Sequence, residues 1–249
     1  LLVGSSFAKS FAMGMGIPII AVNHMQAHIL AHFIDEEKKT PAFPFLCLTV
    51  SGGHTQIVKV ENTNKMTIIG TTIDDAAGEA FDKSAKILGL KYPGGPLIDR
   101  YAKNGDIHAF KFGKPKVKDL DFSFSGLKTS ILYKIKENIR NEPNFIKENL
   151  EDLCASIQYS IVSILIEKIQ KSIEITGIKE IAIAGGVSAN SYLRKRLQEL
   201  SHKNNYKLYI PKFEYCTDNA AMIAIAGYYK HLNREFAKQN ETPSPSLTF

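Results

Sequence analysis

Between residues 179 and 232 the pattern of the chain changes period repeatedly. KEIAIA reads as a strand, GGVSAN as a loop and SYLRKRLQEL as a helix; KLYI, PKFEYCTD and NAAMIAIAGYYKHL then repeat that order. Strands that run the same way cannot be joined by a tight turn, so this alternation predicts parallel α/β units with right-handed crossovers. All-helical and all-β folds are excluded at once. Upstream the period drops to two. FLCLTV and HTQIVKV, separated by SGG, predict a hairpin on a Gly-Gly turn, and MTIIGTTI supplies a third strand. Leu153, Ile157, Ile161, Ile164 and Leu165 are spaced for the buried face of a long helix that Gly177 stops. Helices are also expected over 78–88, within LKYPGGPLIDRYAKNGD, and over SGLKTSILYKIKENI, with residues 106–124 irregular and lysine-rich.

The first residues predict a helix (LVGSSFAKSFAMGMG), a short strand (IPIIAV) and a second helix from about Asn23; the charged, proline-bearing stretch 35–44 marks a boundary. The last residues, 236–249, are polar and proline-rich and are expected to be loose. With 44% hydrophobic and 22% charged residues among 249, the composition is that of a globular domain or two lobes. Cys47, Cys154 and Cys216 are scattered, odd in number and lack a CxxC pair, which predicts a reducing, cytoplasmic setting. No apolar run is long enough to cross a membrane. The net charge of +6 is compatible with a nucleic-acid partner without requiring one.

Four motifs carry candidate chemistry. In NHMQAH, His24 and His28 are four apart, so a helix stacks them on one face where they can grip a metal together. SGGHT either needs Gly52 and Gly53 for a tight turn at φ > 0 or offers backbone amides to an anion, with Ser51 and His54 at its flanks. GGVSAN joins a buried strand to a helix start, a place that favours bound anions and nucleotides, although its glycines also suit close packing. DDAAGEAFDK sets Asp74, Asp75, Glu79 and Asp82 within nine positions, for which a solvated helix face is the usual explanation, and YPGGP follows as a loop. Asp218 precedes the last helix, where capping is the ordinary role of an aspartate and metal ligation the alternative. Three histidines in series, with His32 added, also fit an exposed helix face, so His32 is not taken as a ligand.

In this order, NHMQAH, TVSGGHTQ, DDAAGEAFDKSAKILGLKYPGGP, FSFSGLKTS, AGGVSANSYLR and CTDNAAMIA strongly resemble the TsaD family (also Gcp or YgjD) over residues 1 to about 228. These are tRNA threonylcarbamoyladenosine transferases, once described as O-sialoglycoprotein endopeptidases. The resemblance implies an actin-like ATPase (ASKHA, sugar-kinase/Hsp70-like) α/β fold of two lobes. Residues 1–44, rejoined by a last helix over 218–235, would belong to the first lobe, and 45–217 would form the second. Family members start upstream with a strand and a DET-containing phosphate loop, so the first lobe is expected to be incomplete and the isolated chain catalytically poor. By the same resemblance, the chain transfers threonylcarbamoyl from threonylcarbamoyl-AMP to N6 of adenosine 37 in tRNAs reading ANN codons (t6A formation).

Position by position, His24, His28 and Asp218 match the family's ligands for one Fe(2+) or Zn(2+). Thr49, Val50, Ser51, Gly52 and Gly53 match a substrate loop, while Asp82, Gly95 and Asn190 match further contacts to the adenylate or an ATP/ADP analogue. No protein nucleophile is implied. Implied partners are the tRNA anticodon stem-loop, with Lys114, Lys116, Lys118 and Lys128 near its path; TsaB and TsaE in a bacterium; and TsaC as the source of the adenylate. A metalloprotease is the first rival reading. It needs the glutamate of HExxH, yet Met25 follows His24, and Glu36 and Glu37 lie two turns later. An inactive scaffold and an ATPase or sugar kinase of the same fold are the others. The first is opposed by the two histidines; the second by the His-His-Asp set, since Mg²⁺ sites are built from carboxylates, phosphates and water.

Overall fold

A computed structural model describes residues 1–34, 39–115 and 117–244. Its centre is strand β1 (Phe45–Val50), all six residues of which are buried. A run as apolar as FLCLTV suits no edge position, and β1 has a neighbour on each side. One is β2 (Thr55–Val60), antiparallel to it; the other is β4 (Glu180–Ala184), parallel to it. With β3 (Met66–Thr71) beside β2 and β5 (Lys207–Tyr209) beside β4, the order across the sheet is β3-β2-β1-β4-β5. The parallel half is the one predicted from 179–209, and the hairpin half is antiparallel.

Alternation along β1 sends its side chains into two cores. Leu46, Leu48 and Val50 join Ile57, Ile181 and Ile183 against α3 (Ala77–Ile87), α4 (Gly94–Tyr101), α5 (Ser125–Asn141), α7 (Leu150–Thr176) and α8 (Ser191–Asn204). A short α6 (Phe145–Glu148) precedes α7. Phe45 and Cys47 join Val58, Val60, Ala182 and Ala184 against α2 (His24–Leu30) and α9 (Ala220–Leu232). The long helix α7 carries Leu153, Ile157, Ile161 and Leu165 fully buried and ends at Gly177, whose φ of 71° needs a residue without Cβ.

The expected strand IPIIAV is absent. Ile19 makes one isolated antiparallel bridge to Ala237, and among the described residues no neighbouring strand extends it. The preceding α1 (Leu2–Met15) buries only Ala12. Among the described residues no helix is long and apolar enough to cross a membrane. All three cysteines are free and buried, and burial pushes the Cys154 thiol up to about 12 and the Cys47 thiol higher still, so both are inert.

Candidate active site

The β1 and β4 strands are parallel, with Thr49 opposite Ala184, so the loops that follow them, 51–54 and 185–190, emerge side by side. Loops at the carboxyl ends of adjacent parallel strands are where open α/β sheets bind ligands. The first loop is closed by Ser51, whose N–H donates to His54 O (2.8 Å) and whose Oγ accepts from His54 N (3.1 Å). Beneath it Thr49 is fully buried and donates its hydroxyl to Gln56 O, and Val50 is buried as well. Gly52 and Gly53 are exposed, and among the described residues neither amide has a partner.

The expectation that these two glycines supply a left-handed turn is corrected. Neither has positive φ, and a Cβ on either would meet nothing within 4 Å. The glycines that the geometry demands lie elsewhere. A Cβ on Gly78, at the start of α3, would sit 2.5 Å from Ser51 O; one on Gly185, at φ 87°, would sit 2.5 Å from Val50 O. Gly78 lets α3 close onto the 51–53 loop, and Gly185 lets the loop after β4 close onto the end of β1.

The start of α3 is held there by side chains. Thr55 Oγ1 accepts from Ala77 N (2.8 Å), and the Glu79 carboxylate reaches back to Ala76 N (3.3 Å). One turn beyond Gly78, Asp82 Oδ1 accepts from Gly94 N (2.8 Å) and Gly95 N (3.2 Å), fastening the YPGGP loop and the first turn of α4. Asp99 on α4 in turn accepts from Ser191 N and Ser191 Oγ at the start of α8. Asn190 is 91% buried and is the α8 cap: its Oδ1 accepts from Leu193 N (2.9 Å) and its Nδ2 donates to Gln158 Oε1 (2.7 Å). The Ser191 and Leu193 amides of that helix are therefore occupied by side chains, and the GGVSAN loop contributes mainly its shape.

The acidic cluster is not one helix face, since Asp74 and Asp75 precede α3 and make ties of their own. Asp74 accepts from Ser123 Oγ (2.5 Å), Phe124 N (2.8 Å) and Ser125 N (3.3 Å), which ties FSFSGLK to the residues before α3. Asp75 pairs with Lys83 (2.6 Å) and Lys128 (3.3 Å). Burial works against its charge, but these two ammonium groups outweigh it and hold the carboxyl below the usual range. Lys128 is thus engaged within the chain, as is Lys114 with Glu167, while Lys118 is exposed and Lys116 falls outside the described residues. No single-residue motif announces these ties; only the adjacency of the two loops in space does.

On the other side of the sheet, Asn23 caps α2 by accepting from Met25 N and Gln26 N, which places His24 and His28 on the helix's first turns. Their rings meet edge to face at 4.8 Å. Asp218 Oδ1 lies 3.2 Å from Nε2 of both. Capping is not the work of Asp218, since Asn219 caps α9 by accepting from Met222 N (2.8 Å). The candidate ligand atoms lie within 4.8 Å of one another, spanning a buried His28, an exposed His24 and an exposed Asp218. Burial lowers the pKa of His28, as does the neighbouring His24, while Asp218 opposes them, which favours the neutral imidazole that a metal ligand requires. His28 Nδ1 is buried without a partner among the described residues. Two imidazoles and a carboxylate on a partly open site fit zinc or ferrous iron. A cleft of about 560 Å³ reaches both His24 and His54, so the cluster opens toward the 51–54 loop. His32 turns away, its Nε2 lying 2.9 Å from Ile183 O.

The sequence matches the family model of TsaD, tRNA N6-adenosine threonylcarbamoyltransferase, over residues 1–225. Two relatives bearing that name are 61% identical over 250 residues (Christiangramia forsetii) and 54% identical over 247 (Cytophaga hutchinsonii). The first alignment covers 100% of this chain and 74% of the relative, the second 99% and 71%. Among solved structures, full-length HypF in its phosphate- and nucleotide-bound form is similar at a TM-score of 0.63 and 14% identity, covering 90% of this chain and 37% of that one. HypF from T. kodakarensis gives 0.62 at 12% identity, covering 91% and 39%. The α/β fold is shared with HypF and is the actin-like fold that the resemblance implies.

Proposed function

We infer the activity from the family: this chain belongs to TsaD, the tRNA N6-adenosine threonylcarbamoyltransferases, and is an acyltransferase that forms t6A in tRNA. The finer reading carries over what the motifs resemble. The donor is threonylcarbamoyl-AMP, the acceptor is adenosine 37 of tRNAs reading ANN codons, and the setting is the cytoplasm. In a bacterium TsaB and TsaE would assist, and TsaC would supply the adenylate. One observation supports this reading most: two loops at the carboxyl ends of adjacent parallel strands stand beside a His-His-Asp cluster.

In the reaction the N6 amine attacks the carbamoyl carbon, a C–N bond forms, the bond to the phosphate oxygen breaks and AMP leaves. The free amides of Gly52 and Gly53 would face the departing phosphate, where negative charge grows. Thr49, Val50 and Ser51 hold that loop from below. Asp82, with one oxygen fixed on Gly94 and Gly95, would present the other to a ribose hydroxyl, and Gly95 would form part of the wall for the base. Asn190 would act on the adenylate largely through the start of α8 that it fixes. His24, His28 and Asp218 would hold Fe(2+) or Zn(2+), which when bound supplies Lewis acidity to the carbonyl. We further propose that residues 1–44, rejoined by 218–235, belong to the first lobe and that 45–217 is the second, with α2 and α9 the parts of the first that pack on the sheet of the second.

The test is AMP release from threonylcarbamoyl-AMP. Release should require unmodified tRNA and fall by at least roughly a hundredfold in His24→Ala and Asp218→Ala. Equal release without tRNA, or by both variants, would contradict the proposal. The protease reading is not favoured, because Met25 stands where a zinc protease carries its base.

A further inference from the structure

His24 and His28 sit on a helix, but Asp218 is carried by a loop, and among the described residues its carboxylate touches only the two histidines. Something else must set that loop. Arg194, in the first turn of α8, donates from Nε to Ser188 O (2.7 Å) and from Nη2 to both Pro211 O (3.2 Å) and Cys216 Sγ (3.2 Å). Its guanidinium also lies 3.9 Å over the Phe213 ring. Ser188 belongs to the loop after β4; Pro211, Phe213 and Cys216 belong to the loop that ends at Asp218. Cys216 is fully buried and stands two residues before the ligand. No carboxylate among the described residues pairs with Arg194, so its charge is spent on carbonyl oxygens, a thiol and a ring.

We propose that Arg194 is a positioning residue that locks the GGVSAN loop to the Asp218 loop, so that occupancy of the nucleotide side and of the metal side are linked. The inference rests on the reading that these two loops serve an adenylate and a metal. A planar fork is needed: one edge reaches the first loop, another the second, and the face stacks on Phe213. A lysine ammonium reaches one of these at a time. A shift of Ser188 by a bound adenylate is therefore transmitted to Cys216, and linkage makes the effect reciprocal.

Cobalt(II), read by its visible absorption, is titrated into the full chain with and without saturating AMP, for wild type, Arg194→Lys, Arg194→Met and Phe213→Ala. In wild type AMP should tighten Co(II) binding about fivefold or more. Both Arg194 variants should bind Co(II) roughly tenfold more weakly, with the AMP effect below about twofold. Wild-type Co(II) affinity and a wild-type AMP effect in both variants would overturn the proposal, as would an AMP effect below about twofold in the wild type. If the wild type takes up no Co(II), the metal reading itself fails and the linkage with it. If the Arg194 variants do not fold, Phe213→Ala decides. The ring is 67% exposed and its loss opens no core, so a reduced AMP effect supports the lock and an unchanged one refutes it.

Discussion

Residues that look equivalent in the sequence do different work in this molecule. His24 is half exposed and His28 is buried, although both contact Asp218 at the same distance. His24→Ala should therefore abolish metal uptake while leaving the melting temperature nearly unchanged. His28→Ala should abolish uptake and also cost roughly 1–2 kcal/mol of stability. Metal analysis beside a thermal melt reads both. The glycines divide in the same way. Gly78→Ala drives a Cβ into the backbone of Ser51 and Gly52, and Gly185→Ala drives one into Val50 at the end of β1; both should weaken AMP binding together with stability. Gly52→Ala should leave the melt unchanged, so that any loss lies in ligand affinity alone. Four-residue spacing made the histidine pair legible in the sequence. The crowding at Gly78 and Gly185 was not, because Ser51 and Val50 meet them only after β1, β4 and α3 have assembled.

At the scale of elements, the helices around the site are fastened to one another by carboxylates. Asp74 ties the start of α5, Asp82 the start of α4 and Asp99 the start of α8. Asp74→Ala removes three acceptor contacts and should lower stability by about 2 kcal/mol, seen as a lower urea midpoint at unchanged m-value. Asp75 offers a pH test. Its folded pKa lies below the ordinary value, so its contribution is complete above about pH 4 and is lost as pH falls through the lower, folded value. Asp75→Asn should flatten that acid limb of the stability curve. Helices and strands were readable from period and glycine stops, whereas IPIIAV was not, since an apolar run becomes a strand only where a neighbour pairs with it. Asp74 was equally opaque, because its partners Ser123, Phe124 and Ser125 lie far along the chain in FSFSGLK.

For the whole molecule, one mixed sheet carries the 51–54 and 185–190 loops at its strand ends and packs α2, with His24 and His28, on one face, and the net positive charge suits an anionic partner. Binding of the anticodon stem-loop should weaken steadily with salt, with a slope set by the number of phosphates contacted. Charge reversal at the exposed Lys118 should reduce that slope more than changes at Lys128, which is already committed to Asp75. The family and its actin-like fold were legible because six motifs occur in order along the chain. The tie through Arg194 was not: Arg194 and Ser188 lie in one motif and Cys216 in another, and nothing in the sequence says that the two motifs meet. Threonylcarbamoyl transfer is read by nucleoside analysis of an ANN-reading tRNA after incubation with threonylcarbamoyl-AMP, the full chain and its partners. The expected result is t6A at adenosine 37, one AMP released per t6A formed, and both products lowered by at least roughly a hundredfold in His24→Ala. Unmodified adenosine 37 in the presence of metal-loaded, adenylate-bound wild type would contradict it.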